Sequence, residues 1–445
     1  MPFIPTDQIK QPSLHADTLG YTFVWNGHFL RGIYPSSVEL AQSYFESGFI
    51  DDVVSRNLFP KTWISDFQNE QFGLILEHEM ISPILYAMEW NYSMLKDAAL
   101  MILEIAQIAW KYGYNMADCH KLNVLFYNCK PIYVDLGSFI PRQPGETGWK
   151  PYGSFLSSYF NILDVWKDGA SQIAKRMMAP SFTFDEMNYW IYKKQLYRLF
   201  PVIPKKKILL NDYLIHTAAF GNQRFNEELD SIDMKPYKRK LALLVKRLID
   251  RLKILPSQNL NQIKRKILQF KTPCTISNIP KDNTCTKLKD IFNVLKLDIT
   301  TATLVDCCNP YLYQQLEAET SIKKIISICQ NPLRSNSEYN VMKKRNINLT
   351  CAEFPLLNNS IVMVGKFPED RLSSDIAILP NYTIPKGPFG IHNALVFIRR
   401  CQKYSKSKKV IVRIKGCSGD DINQLLSNHG VVRVQSDFFI FDYNS

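Results

Sequence analysis

Three polar residues within positions 88–139 have the types and spacing of a phosphoryl-transfer centre. Asp118 and Asn123 lie five residues apart, and Asp135 follows beyond a short hydrophobic hairpin. Moving a phosphoryl group from a nucleotide requires a base for the acceptor hydroxyl and one or two Mg²⁺ ions, hard cations that take carboxylate and carbonyl oxygens. Asp118 is then the candidate base, Asn123 and Asp135 the candidate metal ligands, and Mg-ATP the cofactor. The plainer alternative is that an Asp at a strand end is a cap or turn residue.

The elements that must hold these residues are legible around them. The apolar spacing predicts a helix from Ser93, as N-cap, to Gly113, as stop, delivering the chain into the Asp118 loop. Val124–Phe126 and Ile132–Val134 read as two strands about a turn at Asn128–Lys130, and Gly137 reads as a sharp turn after Asp135. Asp118-Cys119-His120-Lys121-Leu122-Asn123 resembles the Asp-x-His-x-x-Asn loop of the aminoglycoside phosphotransferase group of kinase-like folds, with His120 at that motif's second histidine.

Upstream, residues 20–34 predict a hairpin through Asn26-Gly27, followed by a helix from Pro35 to about Arg56 and a strand over Phe72–Glu77. That order makes a reduced kinase-type small lobe. Where such a lobe offers a Lys to the nucleotide phosphates, this chain offers Arg31, with Glu39 or Glu46 as its partner. No G-x-G-x-x-G is present.

The chain has 445 residues and a net charge of +13, enough length for two or three domains. No apolar run approaches the roughly 20 residues that span a bilayer. The start, MPFIPTDQIK, does not read as a secretory signal, so a cytoplasmic protein is expected, peripheral at a membrane at most. The ten cysteines form no C-x-x-C pair; they read as free thiols of a reducing compartment, and no zinc is expected. The positive charge is local: residues 235–271 hold twelve Lys or Arg against the single Asp250. Leu241, Leu244, Val245, Leu248, Leu252 and Leu255 recur there at helical spacing, a basic amphipathic helix. Such a helix either packs on a neighbouring domain or docks on an anionic membrane surface or another polyanion.

Residues 140–234 read as mostly helical and 272–286 as a linker. From about 287, strands in ATLVDCC, KKIISICQ, NINLTCAE, SDIAILPN, KKVIVRIKG and VVRVQSDFFIFDY alternate with helices. Buried parallel strands with helical crossovers predict a doubly wound α/β domain. The expected organisation is an α+β kinase-like domain over 1–234, with a small lobe 1–87 and a helical lobe 88–234. A basic helix and linker over 235–286 and a Rossmann-like domain over 287–445 complete it.

The run EWNYSMLKDAAL, the Asp118 loop and PIYVDLGSF together resemble a bacterial family of class I S-adenosylmethionine-dependent methyltransferases that includes nodulation-type proteins. The resemblance implies a kinase-like region joined to a methyltransferase domain that takes S-adenosylmethionine and modifies an unidentified acceptor, a glycan or envelope-related group. It places Asp306 and Asn309 at the first strand's loop, Gln330 where an acid normally binds the ribose, Glu353 beside the adenine and Asp375 as the fourth-strand acid. Lys415 stands where 2′-O-methyltransferases carry a catalytic lysine. The chain departs from the pattern in its first loop: Asp306-Cys307-Cys308-Asn309-Pro310 has no glycine. Three readings stay open: a methyltransferase, an ATP-dependent phosphotransferase acting through Asp118, Asn123 and Asp135, and a non-catalytic interaction protein.

Overall fold

The structure, a computed structural model, describes residues 2–9, 17–179, 260–270, 284–353 and 371–442, excepting 147, 168–170, 297, 308, 346–348, 386–388, 417, 429 and 436. The leucines of the expected basic helix and the aromatic stretches 187–200 and 211–220 lie outside the described residues. The rest gathers into two compact units. One comprises 1–81, 95–125 and 131–271, the other 82–94, 126–130 and 272–445.

In the first unit, β1 (Gly20–Trp25) and β2 (His28–Ile33) form the expected hairpin. Asn26 and Gly27 both take positive φ, the conformation a two-residue turn demands. The expected single helix is two, α1 (Val38–Glu46) and α2 (Phe49–Ser55), broken where Gly48 adopts φ +76. A short strand that the sequence reading missed, β3 (Thr62–Ile64), pairs with β4 (Leu74–His78), giving an antiparallel sheet in the order β1-β2-β4-β3. Phe72 lies over Gly32, where a Cβ would come within 2.4 Å of its ring. With Tyr21, Phe23, Leu30 and Ile75 it builds the core on that face.

Helix α3 (Tyr92–Lys111) ends before Gly113, at φ +85. Its cap is Asn91, whose Oδ1 accepts the Met94 N–H at 3.0 Å, not Ser93 as the sequence suggested. Strand β5 (Tyr114–Met116) pairs with β8 (Phe139–Pro141); between them stands the hairpin of β6 (Val124–Tyr127) and β7 (Lys130–Tyr133). Short helices α4 (Tyr152–Phe155), α5 (Asn161–Lys167) and α6 (Ser171–Met177) follow, then α7 (Leu260–Gln269), the described end of the basic stretch. Ile263 and Ile267 bury its apolar side, and Lys96 donates to the carbonyls of Leu268 and Phe270 at 3.3 and 2.7 Å, satisfying acceptors that a helix end leaves open.

The second unit holds a seven-stranded sheet. Its strands are β9 (Thr301–Val305), β10 (Lys324–Cys329), β11 (Leu349–Glu353), β12 (Ile376–Tyr382), β13 (Lys409–Ile414), β14 (Val431–Gln435) and β15 (Phe438–Asp442), in the order β11-β10-β9-β12-β13-β15-β14. Around it lie α8 (Thr284–Leu295), which begins in what read as linker, α9 (Pro310–Glu319), α10 (Pro332–Arg345), α11 (Gly390–Gln402) and α12 (Gly419–Leu426). The sheet is not wholly parallel. VVRVQSDFFIFDY folds back on itself, so β15 runs antiparallel to both β13 and β14. Counted from β9, the order is third, second, first, fourth, fifth, seventh, sixth with the seventh reversed. This is a Rossmann-like fold closed by an antiparallel hairpin at one edge.

Residues 82–94 and 126–130 belong to the core of this unit. Fully buried Trp90 packs edge-on against Phe126, which packs edge-on against Tyr339 of α10. Buried Glu89 takes the guanidinium of Arg371, which also stacks over Tyr86 at 4.4 Å. Asn91 donates to Ser335, Ser93 N–H donates to Asn336 at 2.8 Å, and Asn340 donates to Ser93 at 2.9 Å.

Candidate functional site

The hairpin β6–β7 sets Asn123 and Asp135 at its base, and the two side chains meet: Asn123 Nδ2 donates to Asp135 Oδ2 at 2.8 Å. The Ser138 hydroxyl donates to the same oxygen. An oxygen-rich pair of this kind has the chemistry of a hard-cation site. Asp118 has its own partners. Its Oδ1 accepts the backbone N–H groups of Cys119 and His120 at 2.6 and 3.1 Å and the Ser154 hydroxyl at 2.9 Å, while Oδ2 pairs with His120 Nε2 at 3.0 Å. Burial raises this carboxyl, but the charge and hydrogen bond of His120, with Ser154 and the Cys119 amide, outweigh it and hold Asp118 at about 2. The bond to Asp118 in turn raises His120 above its ordinary value. Asp118 is therefore ionised at neutral pH and held by His120, an orienting group more than a strong base.

Arg31 is buried in β2, but its partner is neither Glu39 nor Glu46. The guanidinium Nη1 pairs with Asp17, a residue that no spacing argument singled out because it lies outside every periodic segment. Asp17 Oδ1 also accepts the Leu19 N–H at 2.8 Å. The same carboxylate rests against Gly137, where a Cβ would come within 2.2 Å of it. Gly137 is required by this close approach and not by a left-handed turn, since its φ is not positive. His78, on the sheet face of Arg31, is likewise buried. Burial and then the Arg31 charge lower it to about 3, so it is neutral at physiological pH.

In the second unit the expected cofactor residues separate into two groups. Asp306, at φ +49, ends β9, and both its oxygens are taken by Gln330 at the end of β10: Oδ1 by the backbone N–H at 2.8 Å, Oδ2 by Nε2 at 2.7 Å. Glu353 is buried at the end of β11. These three stand at the carboxyl ends of adjacent strands, beside the point between β9 and β12 where strand order reverses, the ordinary ligand position of an open α/β sheet. Asn309 is a cap: its Oδ1 accepts Tyr311 and Leu312 N–H at 3.1 and 3.3 Å, starting α9.

Asp375 is at the wrong end. It accepts from Thr300 and Thr301 N–H at 2.9 and 2.8 Å, tying the entry of β12 to the entry of β9, so it cannot join Asp306. Lys415 is exposed past β13, its N–H bonded to the Tyr382 carbonyl at 3.0 Å.

The strand-end residues fit one half of S-adenosylmethionine. Acceptor oxygens on neighbouring strand ends suit an adenosine with its hydroxyl and amino donors, so the adenosine half fits. The loop that would receive the methionine half has side chains where backbone approach favours glycine, and Asn309 is committed to its helix.

No family model matches the chain. It is 28% identical over 85 residues to the nodulation protein NoeA of Rhizobium meliloti (strain 1021), a match covering 19% of this chain and 18% of that protein; the chain thus spans about a fifth of the curated relative's length. Among solved structures it is similar to the N-terminal domain of human METTL16 in complex with SAH (12% identity, 37% of this chain and 72% of that one, TM-score 0.27). It is also similar to an O-methyltransferase from Bacillus cereus in complex with SAH (13%, 36% and 90%, TM-score 0.22).

Proposed function

We propose that the chain is an S-adenosylmethionine-dependent methyltransferase whose cofactor lies at the carboxyl ends of β9, β10 and β11. The observation that carries this reading is the strand order with its reversed last-but-one strand, together with Asp306, Gln330 and Glu353 at three adjacent strand ends. Glu353 would hold the adenine and Gln330 the ribose, while Asp306 keeps Gln330 in place through its two hydrogen bonds. When bound, the cofactor supplies an electrophilic methyl group. The acceptor in this reading is a glycan or envelope-related nucleophile.

Thermal stabilisation of the purified protein tests it, since a ligand that binds only the folded state raises Tm by mass action. S-adenosylmethionine is expected to raise Tm, and Glu353→Ala to abolish the shift. The absence of any shift in the wild type at millimolar cofactor sinks the reading.

A second reading, Mg-ATP-dependent phosphotransfer, is favoured by the direct contact of Asn123 with Asp135. In its support, the order β1-β2-β4-β3 with two helices between β2 and β3 matches a kinase small lobe short of one strand, with Arg31 on the strand that carries the phosphate-binding Lys in such a lobe.

A further inference from the structure

Two buried nitrogens on one face of the β1-β2-β4-β3 sheet have no hydrogen-bond partner among the described residues: Arg31 Nε and His78 Nε2. Phe29 lies opposite His78 in the β2–β4 ladder and Arg31 opposite Leu76, so Arg31 and His78 point to the same side. Polar nitrogens left open at such depth call for a ligand or water. His78 Nδ1 is already engaged with Thr62 Oγ1 at 2.8 Å. Arg31 Nη1 pairs with Asp17, and Asp17 rests on the bare Cα of Gly137, two residues beyond Asp135. The Tyr44 hydroxyl is raised by burial and feels Asp17, Arg31 and Asp135 together, so these charges share one neighbourhood.

We propose that the Asp17 carboxylate is an internal stand-in for a phosphate: it holds Arg31 in the ion pair that a magnesium-bound nucleoside triphosphate makes there, and the nucleotide enters only as Asp17 leaves. The proposal rests on the phosphotransfer reading of Asn123 and Asp135 and adds its regulation. Three features support competition for one place. A guanidinium offers a carboxylate and a phosphate the same planar pair of donors. Arg31 is too buried to remain unpaired when either leaves. Gly137 gives room for an oxyanion that any side chain would fill. Nothing covalent changes; one anion replaces another on Arg31, and Mg²⁺ offsets the extra negative charge beside Asp135.

The test uses the full chain and measures binding of Mg-ATP and of Mg-pyrophosphate by titration calorimetry. Asp17→Asn is isosteric and keeps an acceptor for the Leu19 N–H while giving up the charge. It is expected to bind Mg-ATP at least about tenfold more tightly than the wild type, and a further Asp135→Ala is expected to erase that gain. Asp17→Ser, which removes the charge by shortening the side chain and leaves the space beside Gly137 open, is expected to shift affinity in the same direction and serves if Asp17→Asn does not fold. Equal or weaker binding by both variants, with measurable binding by the wild type, overturns the Asp17 lock and leaves the nucleotide reading standing. No binding of either probe by any folded form overturns both.

Discussion

A methyl group at Gly137 has no room, because the Asp17 carboxylate already lies 2.2 Å from where it would be. Forcing atoms into a filled site typically costs about 1–3 kcal/mol, and Gly137→Ala is expected to lower the unfolding free energy by that amount in urea denaturation. In an Asp17→Ala background the space is open, and the same substitution should cost less than about 0.5 kcal/mol, a coupling that a double-mutant cycle reads directly. An unchanged cost in both backgrounds would mean that the two residues do not touch. Asp17 and Gly137 are 120 positions apart, and neither fits a periodic pattern, so only the fold reveals the pair. Asn123 and Asp135 were legible beforehand because a short hairpin brings its two ends together whatever surrounds it.

Helix α10 illustrates the element scale. Its sequence, PLRSNSEYNVMKKR, is polar, yet Ser335, Asn336, Ser337 and Glu338 are buried. They are tolerated because Asn91 and Ser93 donate to Ser335 and Asn336, and because Tyr313 and Ser327 donate to Glu338 Oε1. Burial is the largest influence on Glu338 and raises its carboxyl to about 7, against 4.5 ordinarily. The folded state then binds this proton more tightly than the unfolded chain does. Its stability contribution is full below about pH 4.5, falls as pH rises, and is lost above about 7. A shift of this size corresponds to about 3 kcal/mol. Wild-type stability should therefore fall between pH 5 and pH 8 by about that much more than stability of Glu338→Gln, measured by chemical denaturation; parallel pH profiles would show that Glu338 is not protonated in the fold. The sequence reading placed α10 correctly in order, but its apolar spacing gave no hint of a buried carboxyl.

At the scale of the whole molecule, the seven-stranded unit is discontinuous in sequence. It includes residues 82–94 and 126–130, and the buried Arg371–Glu89 pair is one of its internal ties. Removing one member of a buried ion pair costs about 3–5 kcal/mol, and a fragment starting at residue 272 loses Glu89, Trp90 and Phe126 at once. Fragment 272–445 is expected to melt without a cooperative transition in circular dichroism while the full chain melts cooperatively. A cooperative melt of the fragment would show that the inserted segments are dispensable. The run EWNYSMLKDAAL, which carried the family resemblance, thus begins within this unit's core, where Glu89, Trp90 and Asn91 are fully buried.

By itself the sequence determined what local pattern can encode. Alternation and apolar runs marked β1, β2, β6, β7 and the strands of the C-terminal sheet, and Asn26-Gly27 fixed a turn through its own backbone preference. It also put Asn123, Asp135, Asp306, Gln330 and Glu353 at strand ends, because hydrophobicity defines the strands; the roles of the last three came from the family resemblance. Tertiary structure decided what those residues face. It paired Arg31 with Asp17, spent Asp306 on Gln330, sent Asp375 to the far end of the sheet, and reversed β15 within what read as a single strand. The reason is physical: periodicity reports which face of an element avoids water, whereas the partner of a buried charge depends on which distant segment reaches it, and no local pattern in one chain records that.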